Sequence, residues 1–548
     1  MSREIVTFDT EDDSKGNVKL LNFYDGREHK TFYHPLGARE WLKGLKEPNL
    51  VWCVNLEYDM MNLFKDDLDT FPKRIWFGKS RLISFMFGKQ LFYDTLNHWK
   101  ISVAEMGKVV GEEKLPLDLT DTEKLLARCK SDCRITRKFI VEMLKRYDKL
   151  GARPKSTLPS SSLDLFVNRF NRMNYEEIPT EDNDFVKRGY FGGRTECHYL
   201  GKIDCHKNEV EKIVYVDINS MYPSVMLYDF PYPFNPENRV DLDAFGVTEA
   251  IVEVNQDVPV LPIKHNGKLV FPNGRLQGVW TNAEIQYAQK VGGVKIKKLI
   301  RGLVYPCSLK PFDSFITELW DARKNTDDKL MRDTYKLFSN SLYGKFGQGR
   351  ERRKVIPFSK YLENPEKYPS KSTPFIFDDR LVVLNEEADK YPKNSVLIWA
   401  AYVTSYARIK LHSLMLSIKE KGARLLYCDT DSVMFLGNPR LVESSKELGE
   451  FKIEHVLDAV DIKLPKFYRA FKEHEIVIER VKGVPRRVAK EFFDHNEATF
   501  EKPNKFFESM RRGVKMNEWK PVTKSLRSQY DKGVVGKDGF VRPLTIGA

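Results

Sequence analysis

The chain has 548 residues, of which 41% are hydrophobic and 12% aromatic, and this composition excludes a disordered or fibrous protein. Its length exceeds what one hydrophobic core usually supports, so we expect two or more domains. The formal net charge of +13 favours a polyanionic partner without identifying one.

The cysteines and the hydrophobic runs indicate where in the cell the protein is expected to be located. Seven cysteines without regular spacing argue against a disulfide scaffold and for a reducing, cytosolic compartment. The start, MSREIVTFDTEDD, contains no long apolar run, so we expect no targeting segment. No stretch is long and apolar enough to span a membrane, and we expect no membrane partner.

Residues 1–150 alternate strand-like and helix-like runs, which predicts an α/β domain. The strand-like runs are EIVTFDT, LVWCVNL, RLISFMFG and QLFYDTL, and the main helical run is TEKLLARCKSDCRITRKFIVEMLKRY. GARPKS, at 151–156, is expected to be a linker.

Acidic side chains recur along these runs. Asp9 and Glu11, in FDTED, face the same side of a strand. Asp59 follows in VNLEYDMMN, and Asp132 lies in the helical run. Taken singly, each is also compatible with an ordinary surface acid.

A second strand-rich region begins at KIVYVDINSMYP, where Asp217 ends a strand-like run. An acid at a strand end before a turn is well placed to meet a metal. The alternative is a surface acid in a turn.

FDSFITELWDARKNTDDKLMRDTYKLFSNSLYGKFG predicts two helices, separated at NTDD, which offers N-cap residues for the second. On that helix Lys336, Asn340 and Tyr343 are spaced to share one face. Lys336 can bind a phosphate as a point charge, and the amide and the ring can pack against a base or sugar. The alternative is a solvated lysine on an amphipathic helix.

Residues 347–396 are charged and weakly periodic, which indicates an insertion. Its basic cluster RERRK, at 350–354, is either a phosphate contact or a solvated face. SVLIWAAYVTSYARIKLHSLMLSIKEKG predicts a helix, and LLYCDTDSVMF after it has the apolar flanks and polar centre of a β-hairpin.

Asp429 and Asp431, in the hairpin, are two residues apart and would point the same way on an extended chain. Like charges this close should raise one pKa unless a cation lies between them. With Asp217 they offer three carboxylates, and Mg²⁺ is typically bound by one or two carboxylates plus substrate phosphates. The alternative is an Asp-rich turn.

DxxSMYP, KxxxNSLYG and YCDTDS, at 217, 336 and 429, resemble motifs A, B and C of the family B DNA polymerases. The resemblance implies a right-hand polymerase with palm, fingers and thumb, which works by two-metal phosphoryl transfer. It implies Asp217 and Asp431 as metal ligands and Asp429 as a nearby catalytic helper. The implied nucleotide-binding residues are Tyr222 under the incoming sugar, Lys336 with Lys324 or Arg323 on the triphosphate, and Asn340 and Tyr343.

FDTED, VNLEYDMMN and SDC resemble the Exo I, II and III motifs of DnaQ-like 3′–5′ exonucleases. The resemblance implies that Asp9, Glu11, Asp59 and Asp132 are catalytic and carry two metals that activate a water. The implied DNA-binding residues are Asn55 and Tyr58 on the frayed strand, Thr95 and Leu96 of DTLNHW on single-stranded DNA, and Lys114 as an auxiliary lysine.

One position departs from the exonuclease pattern. Exo III normally has a tyrosine four residues before its aspartate, where it helps to orient the attacking water, and Arg128 stands there in this chain. Arginine can bind a phosphate, but it cannot both donate and accept a hydrogen bond as a hydroxyl does. We therefore expect metal and DNA binding to be retained and the editing rate to be altered.

Two features of the chain resemble the protein-primed, phi-29-type branch of this family. The exonuclease motifs begin close to the start of the sequence, and the long interval from Lys336 to Asp429 is typical of members that carry TPR1 and TPR2 insertions. YFGGR, at 190–194, and KFY, at 466–468, resemble two motifs of that branch. The implied DNA-binding residues are Tyr190, Gly192 and Gly193 on the template, Lys466 and Tyr468 at the primer terminus, and Lys482 in KGVPRR before the thumb.

The resemblance thus implies a multidomain α/β and α+β protein, in which an N-terminal RNase H-like exonuclease precedes the polymerase. The expected boundaries are 1–155 for the exonuclease, 156–237 for the first part of the palm, 238–300 for the TPR1-like insertion, 301–346 for the fingers, 347–396 for the TPR2-like insertion, 397–484 for the second part of the palm and 485–548 for the thumb.

The expected function is a template-directed, DNA-dependent DNA polymerase with 3′–5′ proofreading, protein-primed replication of a viral or linear-plasmid genome, and strand displacement. It implies Mg²⁺ or Mn²⁺, two per active site, and a monomer in the host cytoplasm whose partners are primer-template DNA, dNTPs and a terminal protein. Two alternatives stay open: a compact family B enzyme that uses ordinary nucleic-acid primers, and a catalytically dead DNA-binding relative.

Overall fold

The computed structural model describes residues 4–547 apart from 14, 73, 79–80, 172, 174–175, 207–209, 369, 371–372, 378, 513, 515 and 527–528. The chain forms two compact units. The first comprises Met1–Leu165, Gly349–Lys390 and Thr499–Val522, and the second comprises Phe166–Gln348, Tyr391–Ala498 and Thr523–Ala548. Within the described residues no helix combines the length and apolarity needed to cross a membrane.

The helices are α1 Pro35–Gly44, α2 Leu56–Phe64, α3 Val103–Val110, α4 Thr122–Leu150, α5 Leu158–Leu165, α6 Thr180–Arg188, α7 Met221–Val225, α8 Asn282–Val291, α9 Asp313–Lys324, α10 Lys329–Ser341, α11 Tyr343–Phe346, α12 Phe358–Glu363, α13 Leu397–Glu420, α14 Ala489–His495 and α15 Phe506–Arg512.

The strands are β1 Glu4–Asp12, β2 Val18–Tyr24, β3 His29–Phe32, β4 Asn49–Cys53, β5 Arg74–Phe77, β6 Leu82–Phe87, β7 Gln90–Asp94, β8 Thr195–Cys197, β9 Gly201–Asp204, β10 Lys212–Ile218, β11 Phe230–Pro231, β12 Phe245–Val254, β13 Ile263–His265, β14 Lys268–Val270, β15 Asn273–Thr281, β16 Val294–Tyr305, β17 Ser308–Leu309, β18 Glu351–Pro357, β19 Phe375–Phe377, β20 Leu381–Glu387, β21 Arg424–Asp429, β22 Ser432–Gly437, β23 Phe451–Leu457, β24 Ala459–Leu464, β25 Phe467–Lys472, β26 Glu475–Val481, β27 Glu497–Pro503, β28 Trp519–Ser525, β29 Gly533–Val535, β30 Val541–Pro543 and β31 Thr545–Ile546.

The first unit is built on a seven-stranded mixed sheet in the order β3-β2-β1-β4-β7-β6-β5. Strand β1 runs parallel to β4 and antiparallel to β2, so it is an interior strand of the sheet. Helix α4 packs across β1 and β2, and the hydroxyl of Thr7 on β1 donates to the carbonyl of Cys133 on α4 at 2.9 Å. This packing brings the acids of β1 and α4 together.

Two distant segments complete the core of the first unit. Strands β18, β20 and β19 form a small sheet, from which Val355 and Leu381 enter the same hydrophobic cluster as Phe71. Phe506 of α15 joins this cluster and stacks on Phe71, with ring centroids 5.6 Å apart. Segments separated by several hundred residues therefore share one core.

The second unit is centred on an antiparallel sheet in the order β23-β10-β22-β21-β8. Helix α13 packs against β21 and β22. A second sheet, β26-β25-β24-β9, and a third, β16-β12-β15-β31, complete this unit.

The elements expected from the sequence are confirmed at the strands of FDTED and KIVYVDI, at helix α13 and at the β21–β22 hairpin. Asp328 caps α10 as expected, because its side chain accepts from the amide of Met331 at 3.1 Å. One expectation is wrong. Lys336 and Asn340 lie on α10, but that helix ends at Ser341 and Tyr343 opens the separate helix α11.

Candidate active sites

The β21–β22 hairpin and the end of β10 form the first site. Strands β10 and β22 pair with Asp217 opposite Ser432, and the amide of Ile218 donates to the carbonyl of Asp431 at 2.7 Å. The carboxylates of Asp217 and Asp431 are thereby brought to the same end of the sheet.

Nearby positive charge does not fully offset the burial of these two carboxylates. Burial and the charge of Asp431 raise the pKa of Asp217 to about 7, and Lys336 offsets only part of this effect. Burial also raises the pKa of Asp431, and the neighbouring charge of Asp429 adds to the rise. Half-buried oxygens with raised pKa values suit a divalent cation, which favours the ionised form.

The expectation that Asp429 and Asp431 project together from an extended chain is wrong. Thr430 adopts a positive φ of 64°, and the amide of Asp431 donates to the carbonyl of Asp429 at 2.7 Å. Asp431 therefore lies in a tight turn, which gives the two acids different surroundings.

Asp429 has partners of its own. Its carboxylate pairs with Lys466 Nζ at 3.1 Å and accepts from the hydroxyl of Thr195 at 2.8 Å. Thr195 was missed by the sequence reasoning, since nothing in its local sequence connects it to a residue more than two hundred positions away. Asp429 thus has a cation and a hydroxyl as partners.

A pair of tyrosines lies beside the acids. The rings of Tyr222, on α7, and Tyr343, on α11, are tilted against each other with centroids 4.3 Å apart. Burial raises the pKa of both tyrosines, and the negative charge of Asp431 adds to the rise. Although Tyr343 is not on α10, the structure brings it to Tyr222.

The basic residues expected at the nucleotide differ in their partners. Arg323 Nη1 donates to Ser220 Oγ at 3.3 Å, in the turn after Asp217, whereas Lys324 Nζ pairs with both oxygens of Glu447 at 3.0 Å. The side chain of Lys336 is exposed. The amide of Asn340 donates to the carbonyl of Lys336 at 2.7 Å and is thus engaged by its own helix.

The YFGGR segment packs against the same hairpin. The carbonyl of Arg194 accepts from the amide of Thr430 at 2.6 Å. A Cβ on Gly193 would lie 2.9 Å from Thr430 Cγ2 and 3.2 Å from the hydroxyl of Tyr222, whereas a Cβ on Gly192 would meet no atom within 4 Å. A side chain at position 193 would therefore crowd Thr430 and Tyr222.

Two further contacts fix the start of that segment. The ring of Tyr190 lies over Gly347, where an added Cβ would come within 2.6 Å of it. The guanidinium of Arg408 donates to the carbonyls of Phe191 and Gly192 at 2.7 and 2.9 Å. Arg408 was not singled out from the sequence, because its partners lie more than two hundred residues earlier.

A cleft of about 600 Å³ opens beside Asp429, lined by Lys466, Tyr468 and Lys482 together with Arg480 and Arg486. Tyr468 is buried, and its ring lies 5.1 Å from that of Tyr427. The structure thus brings the expected DNA-binding residues of this region to one basic cleft. The two arginines were missed, because a basic residue on a strand or in a turn carries no distinctive pattern.

The second site lies in the first unit, where Asp9, Glu11 and Asp132 offer oxygens within 4.8 Å of one another. Burial, together with the charges of Glu11 and Asp132, raises the pKa of Asp9 well above its ordinary value. Burial also raises the pKa of Glu11, to about 7, although Arg128 opposes the rise.

Asp59 is not one of the three acids of this group, but the charges of Asp9 and Glu11 act on it. It is buried, it accepts from the hydroxyl of Thr10 at 2.7 Å, and the charge of Asp9 raises its pKa after burial has done so. In the described part of the chain, Asp59 Oδ2 and Asp132 Oδ1 are buried without a hydrogen-bond partner. Carboxylate oxygens left in this state fit divalent cations such as Mg²⁺ or Mn²⁺.

Two cations of the chain already contact the cluster. Lys114 Nζ lies 2.7 Å from Asp132 Oδ2, and Arg128 Nε lies 3.3 Å from Glu11 Oε1 and 3.8 Å from Asp132 Oδ2. Arg128, which stands where a tyrosine was expected, thus faces the carboxylates.

The expected strand-binding residues lie near this site with unequal exposure. Asn55 is exposed at a positive φ of 71°, and Leu96 is half-buried. Their amides donate to the same oxygen of Asp94, at 3.1 and 2.9 Å, which ties the two motifs together. The hydroxyl of Tyr58 donates to Asp12, and Thr95 is fully buried.

Known proteins resemble the chain over most of its length. A family model for DNA polymerase type B, organellar and viral, matches residues 112–388. The DNA-directed DNA polymerase of Enterobacteria phage PRD1 is 23% identical over 514 residues, which cover 88% of this chain and 87% of that protein. A probable DNA polymerase of Podospora anserina is 26% identical over 343 residues, 55% of this chain but 27% of that protein.

Among solved structures, phi29 DNA polymerase complexed with primer-template DNA and incoming nucleotide substrates covers 96% of this chain and 100% of its own, with a TM-score of 0.73 and 17% identity. This likeness shows a shared multidomain polymerase fold.

Proposed function

Because the chain belongs to the organellar and viral type B DNA polymerases, we propose that it is a DNA-directed DNA polymerase whose first unit also removes nucleotides from the 3′ end. The observation that carries the polymerase assignment is the shared end of β10 and the hairpin. There Asp217 and Asp431 lie beside the Tyr222–Tyr343 pair.

In this proposal Asp217 and Asp431 hold Mg²⁺ or Mn²⁺, two ions per site, and Asp429 supports them. When bound, the metal stabilises negative charge on the attacking and leaving oxygens of the phosphoryl transfer. Lys336 and Arg323 bind the triphosphate, and Lys324 is available once it leaves Glu447. Tyr222 lies against the sugar of the incoming nucleotide and excludes a 2′-hydroxyl.

The basic cleft binds the primer strand next to the hairpin. Lys466 and Lys482 contact phosphates, and the Lys466–Asp429 pair couples strand binding to the carboxylates. The YFGGR segment, through Tyr190, Gly192 and Gly193, lies along the template. Phosphate contacts of this kind make binding fall steeply with salt.

For the first unit we propose a 3′–5′ exonuclease in which Asp9, Glu11, Asp59 and Asp132 hold the metal. Asn55, Tyr58 and Leu96 bind the frayed strand, Thr95 supports them from the interior, and Lys114 assists at Asp132. The two orphaned carboxylate oxygens support this assignment.

We further propose that synthesis starts from the hydroxyl of a terminal protein and displaces the strand ahead, with the domain boundaries given above. The support is the resemblance of YFGGR and KFY to two motifs of the protein-primed branch, and both segments contact the hairpin. A compact enzyme that starts only on nucleic-acid primers is the competing proposal.

Primer extension on a labelled DNA hairpin with Mg²⁺ and dNTPs tests the polymerase. The wild type is expected to extend the primer, and Asp431→Asn is expected to lose extension. Asp9→Ala, but not Asp431→Asn, is expected to lose degradation of a mismatched 3′ end. Extension that survives Asp431→Asn would overturn the metal-site assignment. A nucleotide adduct on an added terminal protein supports protein priming, and its absence while DNA primers are extended supports the competing proposal.

A further inference from the structure

The exonuclease carboxylates are in contact with two positive charges of the chain. Lys114 belongs to the segment between α3 and α4, whereas Arg128 lies on α4 one turn before Asp132. Because Arg128 and Asp132 share a helix, the guanidinium is held beside the cluster by the helix itself.

We propose that Arg128 is a built-in counterion of this cluster that competes with the divalent cation for Glu11 and Asp132. It thereby sets the metal concentration at which the exonuclease site fills. This inference rests on the proposed exonuclease function and deepens it, since it assigns a regulatory role to one residue of that site.

Charge is the first support. Three carboxylates lie within 4.8 Å, and a guanidinium stays protonated at any pH at which the protein is folded. Arg128 therefore supplies a permanent positive charge beside Glu11 and Asp132, two of the carboxylates that would hold a metal. A divalent cation that enters must share these carboxylates with the guanidinium or displace it.

The way in which Arg128 is held is the second support. Its side chain is 14% exposed, and within the described residues its buried Nε makes no hydrogen bond, although Glu11 Oε1 is 3.3 Å away. The contact is thus electrostatic and not directional, and it can be broken without loss of an aligned hydrogen bond. Asp132 Oδ1, buried and unpartnered, stays available as a ligand throughout.

Metal binding tests the proposal without a turnover assay. Free Mn²⁺ is measured by electron paramagnetic resonance during titration of the full chain carrying Asp217→Asn and Asp431→Asn, which removes the two proposed metal ligands of the other site. Arg128→Gln in this background is expected to lower the Mn²⁺ concentration at half-saturation by on the order of tenfold or more, because one nearby positive charge is removed. Arg128→Lys, which keeps the charge, is expected to stay close to the parent.

Arg134→Gln is the matched control. Arg134 lies on the same helix and pairs with Glu112, outside the cluster, so its variant should bind Mn²⁺ like the parent. Equal half-saturation in the Arg128→Gln, Arg134→Gln and parent proteins overturns the inference. If Arg128→Gln fails to fold by circular dichroism, Arg128→Tyr provides the same comparison.

A third arm separates this inference from the function on which it rests. Asp9→Asn in the same background should abolish the remaining Mn²⁺ binding. If neither the parent nor the Arg128 variants bind Mn²⁺, the proposed metal site fails and the inference fails with it. If all bind equally and Asp9→Asn removes the binding, the site stands and only the role of Arg128 is rejected.

Discussion

Lys466 pairs with Asp429 at 3.1 Å, and this ion pair gives Asp429 a different environment from Asp431, two residues away. Asp429 shares its charge with a lysine and a threonine hydroxyl, whereas burial leaves Asp431 with a raised pKa. The two acids of one hairpin therefore lie in different electrostatic surroundings.

The first prediction concerns that difference. Asp431→Asn is expected to lower primer extension by about a thousandfold or more, since it removes a metal ligand. Asp429→Asn keeps the hydrogen bond from Thr195 and should lose only about 10- to 100-fold, as expected for a residue that orients a ligand. Single-turnover nucleotide incorporation measures both. Equal losses in the two variants would contradict the assignment.

The second prediction uses the two glycines of YFGGR. Gly193→Ala places a methyl group 2.9 Å from Thr430 Cγ2, so it should cost about 1–3 kcal/mol of unfolding free energy. Gly192→Ala is the control, since nothing lies within 4 Å of its added Cβ. Urea unfolding of the DNA-free protein gives both free energies. Equal stability of Gly193→Ala and Gly192→Ala would show that the hairpin accommodates the methyl group without loss of stability.

The third prediction distinguishes Lys324 from Arg323 at the triphosphate. The pair between Lys324 and Glu447 has side chains 49% and 61% exposed, so it is worth at most about 1 kcal/mol. If Lys324 binds the triphosphate, Glu447→Gln should lower the KM for dNTP by up to about fivefold and leave kcat unchanged. Glu443→Gln, an exposed acid in the same loop, is the control. A KM that does not change would argue against a role for Lys324 and leave the triphosphate to Lys336 and Arg323.

The fourth prediction concerns pH. His98 is buried between the hydroxyl of Tyr147 and the carbonyl of Lys155, at 3.0 and 2.9 Å, and burial lowers its pKa to about 3. The folded state therefore favours neutral imidazole, while the unfolded chain protonates near its ordinary pKa of about 6.5. The stabilisation is complete above pH 6.5 and is lost as the pH falls from 6.5 toward 3, by up to about 2 kcal/mol at pH 5.

Urea unfolding at pH 7.5 and pH 5 measures the contribution of His98 to the free energy of unfolding. His98→Gln should reduce the difference in unfolding free energy between the two pH values by about 2 kcal/mol. His265→Gln, at an exposed position, should leave the difference as it is in the wild type. The acids with raised pKa values, such as Asp217, act in the opposite direction, but they are common to all three proteins and cancel in the comparison.

The candidate acids could be identified from the sequence because they stand at a strand end or in a hairpin centre, or because the segments that carry them resemble known motifs. Their partners could not. Thr195 reaches Asp429 only because β8 pairs with β21, and Glu447 reaches Lys324 only through the fold of its loop. Such contacts depend on sheet register, which a short stretch of sequence does not reveal.

The shared core of the first unit has a consequence for the order in which the protein forms. Phe506 stacks on Phe71, and Val355 and Leu381 lie in the same cluster, so the core around Phe71 stays incomplete while the ribosome has made only residues 1–165. Native pairing across several hundred residues is slow to form and leaves apolar surface open to aggregation in the meantime. A fragment that ends at Leu165 would therefore keep this apolar surface exposed. Removal of residues 349–390 would likewise damage the unit that carries Asp9.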